Sequence, residues 1–142
     1  MAIEDTLANV ELFADLSKED LSRLARLTVV RDYRDGDVIV RENEAGVAFY
    51  IIARGKVEVV KALGSADEHV VDTLGEEQFF GEMALFDNQV RSASVRASGD
   101  VQCLVLTKWD FNAELVQNSH IAVAMLAVLA RRIRNMTEAA TH

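Results

Sequence analysis

The 142 residues are half hydrophobic and carry 15 lysines and arginines against 23 aspartates and glutamates, a net charge of −8. A chain of this size buries one core rather than two, and its acid excess leaves no concentrated basic face of the kind that nucleic acid or an acidic membrane surface attracts. The best candidate for a membrane span, Ile121 to Ala130, stops at Arg131 and Arg132, well short of the roughly 18 apolar residues a bilayer requires.

The acidic N-terminus, MAIEDTLANV, has no basic segment leading into a hydrophobic one, so no secretory signal is expected. The single cysteine, Cys103, cannot form an internal disulfide, which fits a reducing cytoplasm. A short helix is expected over Ile3 to Val10, with Phe13 as an apolar plug after it. Ser17-Lys18-Glu19-Asp20 has the form of a helix start: Ser17 as N-cap and acidic residues in the first turn. Leu21, Leu24, Ala25 and Thr28 then recur at helical spacing.

From Val29 onward the period becomes that of strands. Short β-rich runs occupy Val29 to Tyr33, Asp37 to Arg41, Ala48 to Ala53, Lys56 to Lys61, His69 to Leu74, Gln78 to Phe80, Ser92 to Ala97 and Val101 to Leu106, with glycine-bearing turn signals between most of them. The pattern predicts a mainly β fold with flanking helices: an eight-stranded β-roll or jelly-roll barrel over 29–106, preceded by N-terminal helices over 1–28. No repeat or linker divides the chain, so 1–142 reads as one domain.

After the roll come helices over 107–140. Trp109 to Asn118 forms a short one, with Thr107 as cap and Trp109 as its anchor, and a long one runs from Ser119 or His120 to about Ala139. Ala122, Leu126, Leu129, Ile133, Met136 and Ala140 alternate spacings of four and three, the seam of a two-stranded coiled coil, while Ile121, Met125 and Val128 lie on an adjacent face. One stripe can cover the chain's own roll while the other meets a second copy, so a homodimer through this helix is expected. Arg131, Arg132 and Arg134 complement the helix C-terminus and solvate one face.

The stretch with the most chemistry is Phe79 to Ala97. Gly81 permits close backbone approach, and the residues after it can open a short helix whose free N–H groups face an anion. Arg91 adds a planar fork of donors, and Ser92 and Ser94 add hydroxyls. Glu82 suits a vicinal hydroxyl, such as a ribose 2′-hydroxyl, rather than a phosphate. Together these suit a sugar phosphate. His69, His120 and His142 are scattered and form no metal-spaced set, and Cys103 alternates with Val101 and Val105 as a buried small hydrophobe without a base beside it.

Residue by residue at Phe80, Gly81, Glu82, Met83, Ala84, Leu85, Arg91, Ser92, Ala93 and Ser94, this stretch resembles the phosphate-binding cassette of the cyclic nucleotide-binding domain family. The resemblance extends over nearly the whole chain and is nearest to the sensor half of bacterial Crp/Fnr-type regulators. It implies that Glu82 takes the ribose 2′-hydroxyl and Arg91 the cyclic phosphate, with the Ser92 hydroxyl and the amides near Ala84 and Ala93 completing the cradle. It also implies that a residue at the end of the last helix closes over the base, with Asn135, Met136 and Thr137 as candidates. Two positions depart from the family's turn glycines: Asn43, which tolerates the left-handed conformation, and Glu77, which puts the turn before the cassette in question.

The function expected from this resemblance is a cytoplasmic sensor that binds a cyclic nucleotide, cAMP foremost and cGMP as the alternative, and passes the signal through its C-terminal helix to an effector protein. Ser92 beside Arg91 occurs in cAMP readers, although a hydroxyl there also suits guanine. Such regulators continue into a DNA-binding domain, whereas this sequence stops at His142; the acidic charge favours a stand-alone sensor acting on another protein, without direct nucleic-acid contact. The alternatives are a sensor fragment of a transcription regulator and a dimerisation scaffold that has lost its ligand. An enzyme of cupin type is disfavoured, since only His69 lies within the roll.

Overall fold

The computed structural model describes residues 3–81 and 91–141, the side chains of the last two residues of that range excepted. The chain forms two compact units, one from Met1–Leu27 and Asp110–His142 and the other from Thr28–Trp109.

The first unit is helical. Helix α1 (Ile3–Ala8) leads through a 3-10 turn (Glu11–Phe13) to α2 (Lys18–Leu27). Leu7, Leu12, Phe13, Leu21 and Leu24 are buried, so the plug expected at Phe13 is present. Ser17 caps α2: its Oγ accepts the Asp20 amide at 3.2 Å, which satisfies one of the donors a helix start leaves open. Helix α3 (Lys108–Gln117) precedes α4 (Ser119–Thr141). Phe111, not Trp109, anchors α3; Trp109 is 68% exposed, because two residues, about 200° of helix rotation, separate it from Phe111 and turn it to the outward face. On α4, Ile121, Met125 and Val128 are buried, whereas Leu126, Ile133 and Met136 of the second stripe lie exposed. Arg131 and Arg132 pair with Asp15 and Glu11 at 3.0 and 3.2 Å, so two of the three basic residues tie α4 to the segment around the 3-10 turn.

The second unit is an antiparallel sheet. Among the described residues it has six strands: β1 (Val29–Tyr33), β2 (Val38–Val40), β3 (Ala48–Lys61), β4 (His69–Leu74), β5 (Phe79–Phe80) and β6 (Ser94–Thr107). The order β1-β6-β3-β4 is unclosed, with β2 paired to β6 and β5 to β3. The mainly β fold with flanking helices is as the sequence implied, but the count is six rather than eight. The expected breaks at Arg54-Gly55 and Ser98-Gly99-Asp100 lie opposite each other in β3 and β6, and pairing runs through both with register shifts between Ile52, Arg54 and Lys56. Each pair of predicted strands therefore becomes one 14-residue strand. Gly55 makes this approach feasible: at φ +92, a Cβ there would overlap the Asp100 carbonyl oxygen.

The sheet's core follows from alternation. Val95, Ala97, Val101, Cys103 and Val105 of β6 meet Ala48, Ile52 and Val57 of β3 and Phe80 of β5. Burial pushes the Cys103 thiol up to about 12, in keeping with a small hydrophobe rather than a nucleophile.

One buried charge in the helical unit has a consequence for stability. Asp20 is 4% exposed; its carboxylate accepts from Arg23 at 3.1 Å and meets His120 Nε2 at 2.7 Å. Burial pushes its pKa up, but hydrogen bonds from His120 and Ser17 outweigh this and hold it below the ordinary value. A pKa depressed on folding gives stability that is present above the unfolded value and lost as pH falls through the folded one. Stability should therefore hold to about pH 4 and then decline. Chemical denaturation from pH 6 to pH 2.5 should show a shallower decline in Asp20→Asn, and identical slopes would exclude this carboxylate as the source.

Candidate functional site

Of the expected site residues within the described part, Gly81 lies against Arg91 and Phe80 reaches it through Tyr50. Glu82, Met83 and Ala84, with Leu85, lie outside the described residues. Arg91 is 7% exposed, an unusual place for a guanidinium. Its Nη2 donates to the Ala48 carbonyl at 2.8 Å, and its Cζ lies 5.9 Å from the centre of the Tyr50 ring. Tyr50 in turn stacks on Phe80 with centroids 4.9 Å apart and planes within 4°. The register accounts for this column, since Tyr50 and Phe80 are direct partners across β3 and β5. Burial pushes the Tyr50 phenol up, although the Arg91 charge opposes the shift.

Gly81 closes the arrangement. Its φ is +87, and a Cβ there would lie within van der Waals overlap of Arg91 Nη1 and 3.0 Å from the Ala48 carbonyl oxygen. Glycine at 81 is thus what lets the backbone lie against the guanidinium. The chain before it turns through Glu77, which adopts φ +70. Glu77 donates its amide to the Ile52 carbonyl at 2.8 Å, and Gln78 accepts the Ile52 amide at 2.9 Å. The left-handed turn survives there without glycine, held by these two bonds to β3. Asn43, at φ +70, does the same more cheaply, because its side chain tolerates that region.

Ser92 is exposed, Ala93 is half-buried and Ser94 is 2% exposed, with its Oγ accepting the Glu42 amide at 2.9 Å. Ser94 therefore fastens the start of β6, three residues after Arg91, to the Glu42 backbone. Asn135 and Thr137 belong to the helical unit; both are exposed, and the Thr137 hydroxyl donates to the Ile133 carbonyl one turn back. Sequence reasoning missed the aromatic column at Tyr50, the Glu42 amide that meets Ser94, and Lys61, whose Nζ donates to the Ser92 carbonyl. Tyr50 was accessible through strand alternation with Ala48 and Ile52; nothing in the sequence singles out Lys61. Among the described residues, no three His, Cys, Asp or Glu side chains cluster to hold a metal, and no single helix is long and apolar enough to cross a membrane.

The site is a buried arginine held between a glycine and an aromatic ring in a small antiparallel roll. Residues 30–118 match the model of the cyclic nucleotide-binding domain, and the chain belongs to that family. It is 38% identical over 108 residues to human cGMP-dependent protein kinase 2, covering 75% of this chain and 14% of the kinase. It is 35% identical over 108 residues to a cAMP-dependent protein kinase regulatory subunit from Blastocladiella emersonii, covering 76% of this chain and 27% of that protein. Both relatives are several times longer. The crystal structure of the N-terminal domain of a transcriptional regulator from Streptomyces coelicolor A3(2) superposes with a TM-score of 0.85 at 29% identity, covering 95% of this chain and 94% of that one.

The contact between Gly81 and Arg91 carries a prediction. Gly81→Ala should displace the guanidinium and lower stability by about 1 to 3 kcal/mol, the cost of a forced backbone or side-chain arrangement. Urea denaturation measures this, and a variant as stable as the parent would mean that Arg91 moves aside freely.

Proposed function

We propose that the chain is a sensor module that binds a cyclic nucleotide, cAMP foremost with cGMP as the alternative, and relays occupancy through α4. The observation that carries this reading is the buried Arg91, set against Gly81 within a segment that follows the cassette pattern. A guanidinium fork in a sheltered site pairs well with phosphate oxygens. By the resemblance, Glu82 would take the ribose 2′-hydroxyl, and the Ser92 hydroxyl and the amides near Ala84 and Ala93 would complete the cradle. The relatives include a cGMP-dependent and a cAMP-dependent protein, so their names alone do not choose the purine.

Transmission would run through α4. Its stripe of Leu126, Ile133 and Met136 is exposed on the chain by itself and has the spacing of a coiled-coil seam. We take its occupant to be a second copy, with Asn135 or Thr137 near the base, so that ligand and dimer geometry are coupled. The module would work in the cytoplasm as a binding protein rather than an enzyme, passing its signal to an effector protein. A second reading, the sensor part of a transcription regulator, is favoured by the likeness to the Streptomyces domain, which extends over nearly all of both chains.

Calorimetry with cAMP and with cGMP tests the proposal. Arg91→Ala should weaken the preferred nucleotide by about 2 to 5 kcal/mol, the usual loss when one member of a buried charge pair is removed. Unchanged affinity would overturn the assignment, and failure of the parent chain to bind either nucleotide would leave the scaffold reading. For the dimer, Ile133→Glu should yield monomers in sedimentation at concentrations where the parent is dimeric; a parent that sediments as a monomer refutes the seam.

A further inference from the structure

The loop at 42–44 and the end of β3 grip the Arg91 segment from behind. The Asn43 amide donates to the Arg91 carbonyl and the Arg91 amide to the Glu44 carbonyl, both at 2.8 Å, while the Glu42 amide donates to Ser94 Oγ at 2.9 Å. One side chain joins this backbone lattice. Lys61 Nζ donates to the Ser92 carbonyl and also to Glu42 Oε2, the latter at 3.3 Å. The other oxygen of Glu42 accepts the Ala62 amide at 3.0 Å, so the carboxylate is fixed at both ends. Ala62 adopts φ 57 to present that amide, a left-handed conformation that alanine takes at a cost. The Ala62 amide first, and Lys61 second, hold the Glu42 carboxyl below its usual range, which keeps it charged at neutral pH.

We propose that Lys61, oriented by Glu42, is a positioning residue for the anion site, holding the Ser92 carbonyl and thereby setting the direction of the Ala93 amide. The geometry is elementary. No described peptide bond is cis, and in a planar trans peptide the N–H points opposite to the C=O. With the Ser92 oxygen drawn to Lys61, the Ala93 N–H is turned away from it. This inference rests on the reading that a phosphate takes the Ala93 amide, and it adds the residues that aim that donor. Lys61 would then act through the backbone rather than by touching ligand.

The obvious rival is simple attraction, since a half-exposed ammonium near the site favours any anion. The two accounts differ in sign at Glu42. Removing a carboxylate near a phosphate should strengthen binding if only charge matters, whereas loss of the group that orients Lys61 should weaken it.

The test titrates cAMP and cGMP into the parent chain and into Lys61→Met, Lys61→Arg, Glu42→Gln and the double variant, at low and high salt. Lys61→Met and Glu42→Gln should each weaken binding about threefold to tenfold, as expected for one lost hydrogen bond. The double variant should be no weaker than either single one, because the two residues act as a unit, and Lys61→Arg should retain most of the affinity. Melting curves are recorded alongside, and Glu42→Gln, which keeps the side chain's shape, decides the question if Lys61→Met loses its fold. Tighter binding by Glu42→Gln, or a Lys61→Met deficit that vanishes at high salt, would overturn the proposal in favour of charge alone. A parent that binds while every variant binds equally refutes this inference only; a parent that binds neither nucleotide refutes the proposed function beneath it.

Discussion

The structure depends on keeping one guanidinium out of water and in a fixed place. Removing an arginine from solvent is costly, and it persists only where geometry supplies compensation. Here the compensation comes from three directions: the Ala48 carbonyl along the fork, the Tyr50 face beside it, and a glycine that leaves the space a side chain would take. Ala48 and Tyr50 lie two residues apart on β3, and Gly81 directly follows β5. Positioning Arg91 therefore requires β3, β5 and the start of β6 in register, and the fold can be viewed as the frame for that requirement.

The two bent strands contribute to the frame. β3 and β6, 14 residues each, pair along their length with a shared bend where Gly55 meets Asp100, and both ends of β3 reach the Arg91 segment, Ala48 at its start and Lys61 at its end. The sequence marked both bends as chain breaks because glycine and small polar residues punctuate turns and bends alike. Only the coincidence of the two signals in facing strands distinguishes them, and that coincidence is a tertiary fact. Trp109 failed for a related reason: size suggested an anchor, but the helix phase that buries Phe111 turns Trp109 outward.

What was legible is instructive. Ser17 as a cap, Phe13 as a plug, Cys103 as a core residue and the division of α4 into a buried and an exposed stripe all follow from local pattern, and the structure agrees on each. Gly81 and Arg91 were legible through motif. The supports at Glu42 and Lys61 were not, because they reach the site from 52 and 31 positions away in the chain and carry no local signature. Glu77 shows the converse: a missing glycine foretold trouble in a turn that two bonds to Ile52 nonetheless preserve.

Cys103 gives the molecule a practical property. Its sulfur is fully enclosed in the roll, and its proton is held to about 12, so at neutral pH it is neither reachable nor a thiolate. An engineered surface cysteine elsewhere on the chain would accordingly be the sole group to take a maleimide fluorophore or a spin label. The labelled position could then be followed spectroscopically with the native thiol left in place.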